Sequence, residues 1–129
     1  MTRRHVALTA MGLIALMGLA GAAWGHAKLL RAVPAPGSTL TRVPTVVRLW
    51  FNDELDPKRS GISVWNARAQ RVDDGRGGVD LNDLDRKTLT AALKPLGPGR
   101  YTVRWRAVSA DDLFASSGSS TFMVRSTPK

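Results

Sequence analysis

From residue 101 to 108 the chain alternates strictly. Tyr101, Val103, Trp105 and Ala107 share one parity; Thr102, Arg104, Arg106 and Val108 share the other. A period of two places successive side chains on opposite faces of an extended strand, and no helix can gather such a set onto one side. Beyond residue 25 no stretch keeps a helical period for ten residues. Shorter runs repeat the alternation: Val47, Leu49 and Phe51; Ile62 and Val64; Leu89, Ala91 and Leu93; Phe122 and Val124. Residues 28–33 form a weaker edge-strand candidate. Turn formers separate the runs, among them Pro34-Ala35-Pro36-Gly37, Asp56-Pro57, Asp74-Gly75, Gly77-Gly78 and Gly97-Pro98-Gly99. Many short strands at this spacing predict an all-β fold: two packed antiparallel sheets, immunoglobulin-like, or a small barrel. Residues 81–85 have the composition of a brief helical turn capped by acids, and residues 125–129 read as a frayed polar tail.

Residues 1–25 read as a secretory signal peptide outside the fold. Arg3 and Arg4 are followed by an apolar run from Val6 to Ala23 and then by small residues. A retained anchor is the competing reading, because the run approaches spanning length. Small residues suit a cut before His26, but cuts before Ala23 and before Trp24 fit the same rule. With a cut before His26, residues 26–129 form one domain. Export accords with the absence of cysteine, since such a chain must be stable without disulfides.

Composition narrows the chemistry. Without cysteine there is no thiolate zinc site, iron–sulfur cluster or cysteine nucleophile. With only two histidines, His5 and His26, sites built on two or three histidines are nearly excluded. No Gly-x-Ser-x-Gly elbow accompanies the serines of 109–120, and the paired acids Asp53-Glu54, Asp73-Asp74 and Asp111-Asp112 read as solvated turn carboxylates. The chain is not expected to be an enzyme. The net charge of +9 places Arg48, Arg104 and Arg106 on outward strand positions. Those arginines are read as a solvated face, with attraction to an anionic surface the lesser reading and nucleic acid not expected as a partner. Trp50, Trp65 and Trp105 are read as core and sheet-face packing rather than a sugar-stacking platform.

His26 is the exception. As a first residue it offers two nitrogens, the α-amine and the imidazole, which close a chelate ring on a metal. Nitrogen donors in tetragonal arrangement suit Cu(II), the strongest binder of the divalent series. A cut before Trp24 leaves histidine third, where amine, two backbone amides and imidazole also wrap Cu(II). The plainer reading is a histidine without a role at a frayed end; for metal chemistry, with either cut, His26 is the residue to watch.

The order of several segments resembles the CopC family of periplasmic copper-binding proteins over residues 26–124. They are His26-Ala27-Lys28-Leu29-Leu30; Val33-Pro34-Ala35-Pro36-Gly37-Ser38 with Leu40; Val46-Val47-Arg48-Leu49-Trp50-Phe51-Asn52; the run from Gly97 through Tyr101-Thr102-Val103-Arg104-Trp105 to Ser109-Ala110-Asp111; and Phe122-Met123-Val124. The resemblance implies a Greek-key sandwich of about seven strands with one surface Cu(II) site near one end. It implies His26 as terminal ligand, Asp111 as the aspartate of an Asp-Gly-His motif, and Asp53, with Glu54 beside it, as a nearby acid. The motif's last two positions hold Asp112 and Leu113, so the second histidine is missing. The glycine that follows is offset, with Ser117 at its place and Gly118 next. A methionine-rich Cu(I) loop is absent. The implied function is a monomeric periplasmic carrier or buffer of Cu(II) in copper homeostasis and resistance, with a weakened site and an inner-membrane copper transport protein as partner. The alternative is a metal-free extracytoplasmic interaction module. Leu113-Phe114 then serves either as an exposed apolar pair or as a loop folded back on the sandwich end.

Overall fold

The computed structural model describes residues 26–126; the expected leader, residues 1–25, and residues 127–129 of the tail lie outside them. Eight strands follow in order: β1 (Leu29–Val33), β2 (Thr39–Leu40), β3 (Val46–Phe51), β4 (Gly61–Asn66), β5 (Gly78–Val79), β6 (Thr88–Ala92), β7 (Gly99–Val108) and β8 (Ala115–Val124). They form two four-stranded sheets with orders β1-β3-β6-β5 and β2-β8-β7-β4. The expected sandwich is present, as eight strands rather than about seven. It is antiparallel except where β2 lies parallel to β8. That exception arises because the chain passes from β1 in the first sheet to β2 in the second and meets β8 from the same direction.

The alternation read in the sequence becomes the core. Val47, Leu49 and Phe51 of β3 and Leu89 and Ala91 of β6 face Ile62, Val64, Val103, Ala107 and Phe122 of the second sheet in one buried cluster. Tyr101 stacks on Phe122 at 5.4 Å, and Phe51 meets Trp105 edge-on at 5.2 Å. The Tyr101 hydroxyl donates to the Gly97 carbonyl at 2.6 Å, pinning the turn that feeds β7. Trp50 and Trp65 lie half-buried on outer faces beneath arginines: Arg31 is 4.6 Å from the Trp50 ring, and Arg104 is 5.3 Å from that of Trp65.

Three local expectations are corrected. β8 begins at Ala115, seven residues before Phe122, because all ten positions from Ala115 to Val124 pair with β7. Residues 81–85 form successive turns, not a helix. The Asp80 and Asp83 carboxylates accept the backbone N–H groups of Asn82, Asp85 and Lys87, which replaces helical bonding. Val108, of outward parity, is 1% exposed, because its backbone is bonded by Asp56 and Ser60 of the turn after β3.

Candidate metal centre

Three segments meet at one end of the sandwich: the residues before β1, the turn after β3, and the loop between β7 and β8. Ala27 is buried, and its carbonyl accepts the Ser116 hydroxyl at 2.7 Å. Lys28 donates its N–H to Asn52 Oδ1 at 2.7 Å, and Asn52 returns its own N–H to the Lys28 carbonyl at 3.1 Å. These bonds hold the start of the domain against both neighbouring segments.

The turn after β3 is anchored from below and from the side. Leu55 is fully buried beneath it and bonds through its N–H to the Arg86 carbonyl. Asp53 Oδ2 accepts the hydroxyl of fully buried Ser109 at 2.8 Å, while Oδ1 accepts the Glu54 N–H at 2.9 Å. Glu54 itself is exposed, and its carbonyl accepts the Ala110 N–H. Asp53 is therefore engaged as a clamp between turn and loop.

The 109–114 loop closes on itself. Leu113 donates to the Ser109 carbonyl at 2.9 Å and Ser109 to the Phe114 carbonyl at 3.0 Å. Asp112 Oδ1 accepts the Phe114 N–H at 3.0 Å, and Leu113 sits at φ 58°. This folding presents the Phe114 ring to His26: the two stack with centroids 3.8 Å apart and planes 25° from parallel. His26 Nε2 is enclosed and has no hydrogen-bond partner among the described residues. Asp111 is exposed in the same loop and makes no ion pair among the described residues.

His26 and Asp111 thus share one end of the molecule, with Asp53 and Glu54 across from the loop. Among the described residues no three His, Cys, Asp or Glu side chains gather into a ready-made cluster for a metal. The available donors are one imidazole and exposed carboxylates, a nitrogen–oxygen set of the kind Cu(II) accepts. Sequence reasoning left Phe114 open between exposed and folded back. Both features hold: the loop folds back onto His26, yet Phe114 remains 50% and Leu113 47% exposed. Ser116 was missed because a serine in a serine-rich run carries no local signal. Ser109 was visible only as the first residue of Ser109-Ala110-Asp111.

Comparison with known proteins follows this geometry. The pattern of the CopC domain matches residues 29–125. Protein YobA of Escherichia coli (strain K12) is 30% identical over 103 residues, covering 79% of this chain and 81% of that protein. Copper resistance protein C of Xanthomonas campestris pv. juglandis is 29% identical over 126 residues, 95% of this chain and 97% of that one. The crystal structure of CopC from Methylosinus trichosporium OB3b superposes with a TM-score of 0.71 at 25% identity, over 81% of this chain and 98% of that one.

Proposed function

This chain belongs to the CopC domain family, and from that premise we propose that it is a periplasmic carrier or buffer of copper, not an enzyme, which binds one Cu(II) at the His26 end. The observation that carries the reading is the His26 imidazole, held by stacking on Phe114 at the end of the sandwich that also bears the Asp111 loop; its Nδ1 is the ring nitrogen that can close a chelate with the α-amine. Copper is the cargo. Processing before His26 supplies the remaining nitrogen, the free α-amine. The amine and imidazole then chelate the ion, and Asp111 contributes an oxygen. Asp53 and Asp112 act indirectly by holding the turn and the loop, through Ser109 and the Phe114 N–H. Amine and imidazole must both be free of protons to bind, so uptake weakens as pH falls.

With Leu113 where the family motif has histidine, one imidazole is missing. Structural zinc sites are worth roughly 10–16 kcal/mol over four ligands, so each ligand contributes about 3 kcal/mol, and the site is weakened accordingly. Handing copper to an inner-membrane copper transport protein fits a soluble carrier of this kind. The half-exposed Leu113 and Phe114 favour a second reading, a metal-free domain that offers this apolar pair to an envelope protein.

Cu(II) titration of the processed protein separates the two. His26→Ala is expected to weaken binding by about a hundredfold, and Asp111→Asn by about tenfold, on the scale of a lost metal-ligand contact. Equal uptake by the wild type and His26→Ala, or a mature mass that places the terminus elsewhere, overturns the carrier reading.

A further inference from the structure

The charges of this chain are segregated by element. None of its ten carboxylates lies on a strand; all sit in the connections. The arginines of the second sheet lie in one row. On β7, Arg100, Arg104 and Arg106 point outward, spaced by the strand repeat over about 20 Å. Arg100 lies opposite Met123, whereas the cross-strand neighbours of the other two are small and hydroxyl-bearing or have no side chain. Arg104 stands between Ser63 and Ser119, and Arg106 between Gly61 and Ser117. None of the three arginines makes an ion pair among the described residues. Asp73, which follows Arg71 beside β4, is already occupied by Arg71 at 2.8 Å. Trp65 lies half-buried on the same face with the guanidinium groups of Arg71 and Arg104 over its ring.

We propose that this face, the outer surface of β4, β7 and β8, docks the protein on an anionic phospholipid surface. Guanidinium groups match phosphate oxygens with paired N–H donors, and neighbouring serine hydroxyls add further donors. The row runs along an open face whose depression, about 280 Å³ and lined by Arg71, Arg104 and Arg106, is wide open to solvent; such a face suits an array of headgroups better than a single buried anion. A single-stranded nucleic acid bound on a sheet needs exposed aromatic platforms, and here the one aromatic ring on the face is covered by arginines. The proposal is independent of copper.

The test is co-sedimentation of the protein, in the form the cell produces, with vesicles of phosphatidylglycerol and phosphatidylcholine against phosphatidylcholine alone. The difference between the two vesicles isolates the electrostatic part, even if an apolar leader is retained. Each arginine near such a surface raises partition by about fivefold at low salt. Arg104→Gln with Arg106→Gln is therefore expected to weaken binding to the anionic vesicles by about twentyfold. Arg76→Gln with Lys94→Gln, the same charge change off the face, is expected to weaken it less than threefold. Unchanged thermal melting verifies that both double variants are folded. Equal losses in the two variants, no preference for the anionic vesicles, displacement by millimolar inorganic phosphate, or tighter binding to a DNA duplex than to the vesicles overturns the proposal.

Discussion

At the scale of single residues, Leu113 joins backbone and chemistry at one position. It holds φ 58°, in the left-handed region, and its side chain is half-exposed within the loop that covers His26. Histidine enters that region more readily than a bulky aliphatic residue. Leu113→His is therefore expected to fold unhindered and to tighten Cu(II) binding by at least tenfold in titration. No gain would mean that position 113 does not face the His26 donors. His26 and Asp111 were legible as candidates because a histidine at an expected cleavage point and a family-type aspartate are statements about residue identity. Phe114 as the ring against His26 was not, because stacking depends on how the 109–114 loop closes.

At the scale of elements, the β7–β8 hairpin shows how pairing completes a strand that composition conceals. The half of β8 from Ala115 to Ser119 has no apolar alternation, yet it runs in unbroken register along β7. Gly118 lies directly opposite Trp105, and a Cβ there would stand 2.3 Å from the indole Cζ2. The offset glycine is thus the space in which Trp105 lies. Gly118→Ala is expected to lower stability by about 1–3 kcal/mol, the usual range for overpacking, with a shift in tryptophan emission. Gly61→Ala, where nothing lies within 4 Å of the added carbon, is the control and is expected to be nearly neutral. Urea denaturation of both variants checks the pair.

At the scale of the whole molecule, stability depends on hydrogen-bonded acids, one of them buried, that the sequence presents only as turn residues. Asp73 is 2% exposed. Burial pushes its carboxyl up, but the Arg71 guanidinium and the N–H groups of Val64 and Gly75 outweigh this and hold it below the ordinary carboxylate range. Asp83 is lowered first by the Lys87 N–H, then by the Thr88 hydroxyl. Folded values below the unfolded ones mean that the unfolded chain takes up more protons as the medium acidifies. The stabilisation is thus complete above the unfolded carboxylate range, near pH 4, and is lost as pH falls through the folded values. Thermal melts are expected to be level from pH 7 to 5 and to drop below 4. Asp73→Asn should be about 1–3 kcal/mol less stable at neutral pH and show a shallower acid dependence.

The sequence by itself determined the strand periodicity, and with it the two-sheet core, because alternation is a local property that each short run carries whatever its neighbours do. It also limited the metal chemistry to one histidine of the domain and a few carboxylates, because residue types set which donors exist. Only the tertiary structure decided that β2 would lie parallel to β8, that a serine run would become strand, that Phe114 would cover His26, and that the arginines of β7 would stand in one row without ion pairs among the described residues. Those features rest on contacts between segments far apart along the chain. Their geometry comes from sheet pairing and loop closure, and no local pattern encodes it.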